Sequence, residues 1–302
     1  MAPRWSRPGL RNALLTAALG LLVISALPAR ALVPYVYVPQ RQELEAAGLG
    51  IAQAAARLLR LGQARDAARL AALTVQLLPE DPRGWMLLAE AQLRSNQLEQ
   101  AGISLAKAKQ LDPRNPGIWF AGGSLALRAG KPNEAIGLLE QGLKLDKRNA
   151  GAYFDLGNAR ILIGQSDQAL EAFERASSLR NSFWEAINNQ GLVLFEQGNT
   201  KEAIRRWREV LKIKPDAAEP TLALAASLFA NGPDNRSEAI ELVGKALDTE
   251  PNYVLDVYQK DQLWGPKLRS TTAELFKLTE LKPVVDRALA NASPEGERSD
   301  EE

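Results

Sequence analysis

Alanine recurs along this chain as Ala67, Ala101, Ala135, Ala169, Ala203 and Ala239, a spacing of 34 residues four times and 36 once. A fixed period of this length means that the fold is built from copies of one supersecondary unit, each burying its apolar face against its neighbours. Five residues before the first five alanines stands a turn residue, Gly62, Asn96, Gly130, Gly164 or Gly198. Before the sixth, Gly232 stands seven back, because Pro233 to Arg236 lengthen the turn. Twelve residues before each of the first five, the position is small: Ala55, Ala89, Gly123, Gly157 and Gly191, with Ala225 equivalent in the sixth.

These residue types in this order describe two helices joined by a tight turn. Glycine and asparagine accept the left-handed conformation that ends a first helix, and small residues on both helices let the backbones approach. Trp85, Leu88 and Leu105, then Tyr153, Leu156 and Phe173, then Leu194 and Trp207 fill the remaining seam. Pro79, Pro113, Pro215 and Pro251 follow the second helices, where proline no longer interrupts a helical hydrogen bond.

The pattern resembles the tetratricopeptide repeat (TPR) family. Unit two carries it as Trp85, Leu88-Ala89, Ala101, Leu105, Ala108 and Pro113, and unit four as Tyr153, Leu156-Gly157, Ala169, Phe173 and Ala176. Lys147 and Asn181 stand where the family has its terminal proline, and unit one has Ala54 and Ala71 where bulk is usual. The resemblance implies an all-α, right-handed superhelical solenoid of six helix-turn-helix units over residues 48–253. Residues 32–47 form a lead-in. Residues 254–290, amphipathic but aperiodic, are expected to form two capping helices broken near Gly265-Pro266, and the acidic stretch 291–302 a disordered tail.

At the N-terminus, Arg4, Arg7 and Arg11 precede an uncharged run from Ala13 to Leu27, then Pro28 and Ala29-Arg30-Ala31. This order of basic, apolar and small-x-small segments predicts a secretory signal peptide over residues 1–31, because the run is shorter than the roughly 20 residues of a permanent span. An uncleaved anchor, with membrane association through residues 1–31, is the alternative. The expected location is extracytoplasmic, periplasm or thylakoid lumen. Cleavage removes four arginines and no acid, taking the net charge from +1 to −3, so nucleic acid is not an expected partner.

The chain has no cysteine and no histidine. That excludes disulfides, thiolate or imidazole metal sites and His-dependent nucleophiles, and no cofactor or metal is expected. Ser104-Leu-Ala-Lys107 matches S-x-x-K without the partner motifs that accompany it in penicillin-binding enzymes. Asp234-Asn235 lack a complete calcium loop. Asp256, Asp261, Glu274 and Glu280 show no fixed pairing of the kind a glycan hydrolase needs.

The TPR resemblance instead implies a concave groove lined by first helices. Phe120, Ala121, Ser124, Arg128, Phe154, Asp155, Asn158, Asn188, Asn189 and Leu192 are its candidate lining. Asn158 and Asn189 fall on the asparagine pair of TPR domains that grip a chaperone C-terminal carboxylate, but Phe154, Glu219 and Ala223 replace the cations of that clamp. The reading is a non-enzymatic scaffold binding a peptide segment of a protein partner, in assembly or biogenesis of an envelope or membrane complex. A membrane-anchored photosystem assembly subunit is an alternative, and a cell-wall-glycan enzyme the reading from a different class.

Overall fold

The computed structural model of the protein describes residues 39–293. The expected signal at residues 1–31 and the tail beyond residue 293 lie outside them.

Twelve helices make the six expected units: α1 (Arg41–Arg60) and α2 (Ala64–Leu77), α3 (Pro82–Arg94) and α4 (Leu98–Leu111), α5 (Pro116–Arg128) and α6 (Pro132–Leu145), α7 (Ala150–Leu162) and α8 (Ser166–Leu179), α9 (Trp184–Glu196) and α10 (Thr200–Ile213), α11 (Ala218–Ala230) and α12 (Arg236–Thr249). From unit two onward every first helix has 13 residues and every second helix 14. The helix α1 is longer, 20 residues, and begins inside the stretch expected to be a lead-in.

Repeated local chemistry sets these boundaries. Asp81, Asn115 and Asn149, 34 residues apart, cap α3, α5 and α7 by accepting from the backbone N–H of Arg83, Gly117 and Ala152. At the other end, Gly62, Asn96, Gly130, Gly164 and Gly198 all have positive φ, from 59° to 88°. The residue after each donates back to the helix, as in Gln97 N–H to Gln92 C=O at 2.8 Å and Lys131 N–H to Ala126 C=O at 2.8 Å, which satisfies carbonyls the helix end would orphan. The indoles of Trp85 and Trp119 donate to the carbonyls of Pro79 and Pro113, tying each first helix to the close of the preceding unit.

The seam is matched in size. The six periodic alanines are fully buried. A Cβ on Gly191 would stand 2.6 Å from the Trp207 ring, one on Gly123 2.5 Å from Leu139, and one on Gly157 would overlap Phe173. Glycine at these three positions therefore meets a large facing side chain, whereas Ala55 shares the core of unit one with the small Ala71.

The cap has three helices rather than two: α13 (Asp256–Asp261), α14 (Pro266–Phe276) and α15 (Lys282–Asn291). Pro266 opens α14 at a first-turn position, where its missing N–H costs nothing. The expected second helix divides at Leu278, whose extended backbone (φ −61°, ψ 131°) leads into a short 3-10 turn before α15. No helix among the described residues is long and apolar enough to cross a membrane.

Candidate functional site

First helices of successive units also pack on one another, α3 on α5, α5 on α7 and α9 on α11, which makes them the inner layer of the solenoid. The inner face is not uniform along its length. The cap helix α14 lies against both α9 and α11, so units five and six are covered by the chain itself.

The fit of α14 is specific. Leu268, Thr272 and Leu275, spaced as one helical stripe, are fully buried against this layer. Glu196, the last residue of α9, accepts from the backbone N–H of Lys267 at 3.1 Å and of Leu268 at 2.8 Å, filling donors left open at the start of α14. Gly265 leaves room for that carboxylate, which would collide with a Cβ. Lys267 spans back to donate from Nζ to the Phe195 carbonyl at 3.1 Å and stands 4.8 Å over the Phe195 ring.

Covering the inner layer encloses residues expected to line a groove. Asn188 and Leu192 are 1% and 2% exposed and Asn189 is 8%, so they lie within the packing, not on an open surface. The asparagines form a polar chain: Asn189 Nδ2 donates to Asn158 Oδ1 at 2.9 Å, Asn188 Nδ2 to Asn189 Oδ1 at 3.2 Å, and Trp207 Nε1 to Asn188 Oδ1 at 3.0 Å. It ends near Glu219, which accepts from Trp264 Nε1 at 3.0 Å, with the side chains of Asn188 and Tyr253 close by. Burial pushes the Glu219 carboxyl above the usual range, with these three side chains pulling the other way.

The two candidate phenylalanines also belong to the packing. Phe154 stacks against Phe173 and Phe183 at centroid distances of 5.8 and 5.0 Å, and Phe120 fills the space left by Gly142 on α6. Phe120 is accommodated by the missing side chain of Gly142, a size match between helices that the linear pattern of one helix does not display.

Units one to four keep an inner face without such a cover from the cap. Ser124 donates to Asp155 across α5 and α7, and burial raises the Asp155 carboxyl while Ser124 and Arg128 counteract it. Arg128 is exposed and donates to the Leu93 carbonyl at 2.7 Å, and Arg94 reaches the Leu59 carbonyl at 3.4 Å. Glu90 pairs with Arg94 at 2.7 Å. Asn158 on α7 and Ala121 on α5 are both half-buried. A cleft of about 490 Å3 opens between α4, α5 and α6, with Gly102 and Gly122 among its lining.

The other candidates resolve locally. Ser104 donates to Gln92 at 2.7 Å inside unit two, while Lys107 stands 4.0 Å from Glu80. Asp256, Glu274 and Glu280 each pair with a cation, Arg269, Lys277 and Arg236, at the surface. Among the described residues there is no cluster of acids able to hold a metal ion.

Three family models match, two described as tetratricopeptide repeat, over residues 49–116 and 126–182, and one as TPR repeat, over residues 191–232. No curated protein matches the chain in sequence. Among solved structures it is similar to Pseudomonas aeruginosa pilF, at 17% identity over 74% of this chain and 98% of that one, with a TM-score of 0.62. It is also similar to the APC/C hetero-tetramer Cut9-Hcn1, at 14% identity over 83% of this chain and 46% of that one, TM-score 0.63. A third is YrrB, described as a TPR protein with an unusual peptide-binding site, at 24% identity over 64% of this chain and 99% of that one, TM-score 0.50. The repeat geometry and the family matches agree: the chain belongs to the tetratricopeptide repeat family.

Proposed function

We propose that the protein is a non-enzymatic scaffold that holds a peptide segment of another protein on the inner face of units one to four. The observation that carries this reading is the division of the inner layer: α14 covers α9 and α11, while α3, α5 and α7 keep polar and charged residues on theirs. The covered half supports the same reading in another way, since it accepts a peptide segment, here a helix of the chain's own cap, through an apolar stripe and a carboxylate on backbone amides. The TPR family membership and the similarity to a protein described as having a peptide-binding site accord with it.

The place of action in this reading is outside the cytoplasm, in assembly or biogenesis of an envelope or membrane complex, on the strength of the N-terminal segment alone. Sequencing the N-terminus of the isolated protein tests that part: Leu32 supports a cleaved signal, and a chain beginning at Met1 or Ala2 supports the anchored alternative. A photo-crosslinking side chain at Glu90 on the inner layer, compared with one at Lys144 on the second helix α6, tests the scaffold itself. A discrete protein adduct from Glu90 and none from Lys144 supports it, and equal adducts from both positions count against it.

A further inference from the structure

The last residue of each first helix falls two positions before the left-handed turn residue, giving the register Arg60, Arg94, Arg128, Leu162, Glu196 and Ala230. In unit five this position meets what occupies the inner face, because Glu196 binds the first amides of α14. In units one to three it holds an exposed arginine every time. The rungs adjoin: Arg128 reaches the Leu93 carbonyl next to Arg94, and Arg94 reaches the Leu59 carbonyl next to Arg60. Each of these two contacts uses one terminal nitrogen, and a guanidinium carries five N–H donors in a planar fork suited to carboxylates.

We propose that Arg60, Arg94 and Arg128 form a ladder that receives an acidic, extended peptide segment of the partner, one carboxylate to each rung. The neighbouring acids engage it in part: Glu90 occupies one terminal nitrogen of Arg94, which a ligand carboxylate at that rung must share or take over, and Asp155, which interacts with Arg128, also accepts from Ser124. Directly packed helices lie about 8–10 Å apart, and an extended chain in the polyproline II conformation rises about 3.1 Å per residue and returns every third side chain to the same face. The ladder therefore matches acids at every third residue, a spacing that separates it from a single terminal carboxylate held in a clamp.

This inference rests on the scaffold reading and deepens it, and its test separates the two. A fluorescent peptide with glutamate at every third residue among serine and glycine is titrated into the intact protein, beside the same peptide with glutamine. The glutamate peptide is expected to bind and the glutamine peptide to bind at least tenfold more weakly. Arg60→Gln, a rung that caps no carbonyl among the described residues, and Arg128→Gln should each weaken binding about threefold, in the range of exposed ion pairs. Raising salt from 50 to 500 mM should weaken wild type most. Equal binding of both peptides, binding of neither, or no effect of Arg60→Gln overturns the ladder. If the ladder fails while Glu90 still crosslinks a partner, the scaffold stands and only its acidic ligand class is lost.

Discussion

The indole N–H of Trp264 donates to the carboxylate of Glu219 at 3.0 Å, tying the cap to the first helix of unit six across 45 residues of sequence. Tyr253 and Asn188 converge on the same carboxylate, so one acidic side chain joins the end of the repeats, the polar chain of unit five and the cap. Closing the solenoid in this way covers the inner layer of its last two units and leaves that of the other four without a cover from the cap.

Glu219 should make stability depend on pH. Its folded-state carboxyl is held above the ordinary 4.5, chiefly by burial, so the folded chain keeps a proton that the unfolded chain gives up. That contribution is fully present below about 4.5 and falls as pH rises through the raised value. Urea midpoints between pH 4.5 and 8 should fall for wild type, and Glu219→Gln should flatten the fall, leaving the contribution of Asp155, which is raised for the same reason. An unchanged slope in Glu219→Gln would contradict this account.

The size-matched seam predicts opposite signs for two glycine substitutions. Gly191→Ala forces a methyl into the Trp207 ring and should destabilise by about 1–3 kcal/mol. Gly137→Ala on α6 meets nothing within 4 Å and should stabilise by about 0.5–1 kcal/mol through helix propensity. Denaturant midpoints moving in the same direction for both would show that the seam is placed wrongly.

Much of this was legible in the linear chain because repeated steric demands leave repeated residues. The left-handed turn positions, the small seam positions and the closing prolines recur at one period, and Gly62 to Gly198 occupy the conformation their spacing implied. The covering of units five and six was not legible. It depends on Lys267 and Leu268 meeting Glu196, 71 and 72 residues earlier, with no local pattern to announce it. One signal existed: Pro220 to Leu228 of α11 are all buried, an apolar run on every side of a helix, which means a second covering layer. The asparagines stand at non-seam positions of first helices, which the TPR resemblance assigns to an open groove, whereas here the amides satisfy one another.

The polar chain predicts a stability effect where a groove would predict a binding effect. Asn188→Ala leaves the buried Trp207 N–H without its acceptor and should destabilise by about 1–3 kcal/mol. Thermal unfolding checks this, and a wild-type midpoint would place the amide outside the packing.

Glu196→Ala should release the start of α14 while leaving the repeats intact. Hydrogen exchange at Lys267 and Leu268, whose amides Glu196 accepts, should accelerate, with α5 to α8 unchanged. Uniform acceleration along the chain would mean that α14 is not a separable cover.

The absence of cysteine makes site-specific labelling the most direct test of where a partner sits. Glu90→Cys, Leu162→Cys and Lys144→Cys place single thiols at exposed positions, the first two at the inner layer and the third on the second helix of unit three. Maleimide labelling rates are measured with and without the captured partner. The account predicts that the partner slows labelling at positions 90 and 162 and leaves position 144 unchanged; protection at 144 with free reaction at 90 and 162 would contradict it.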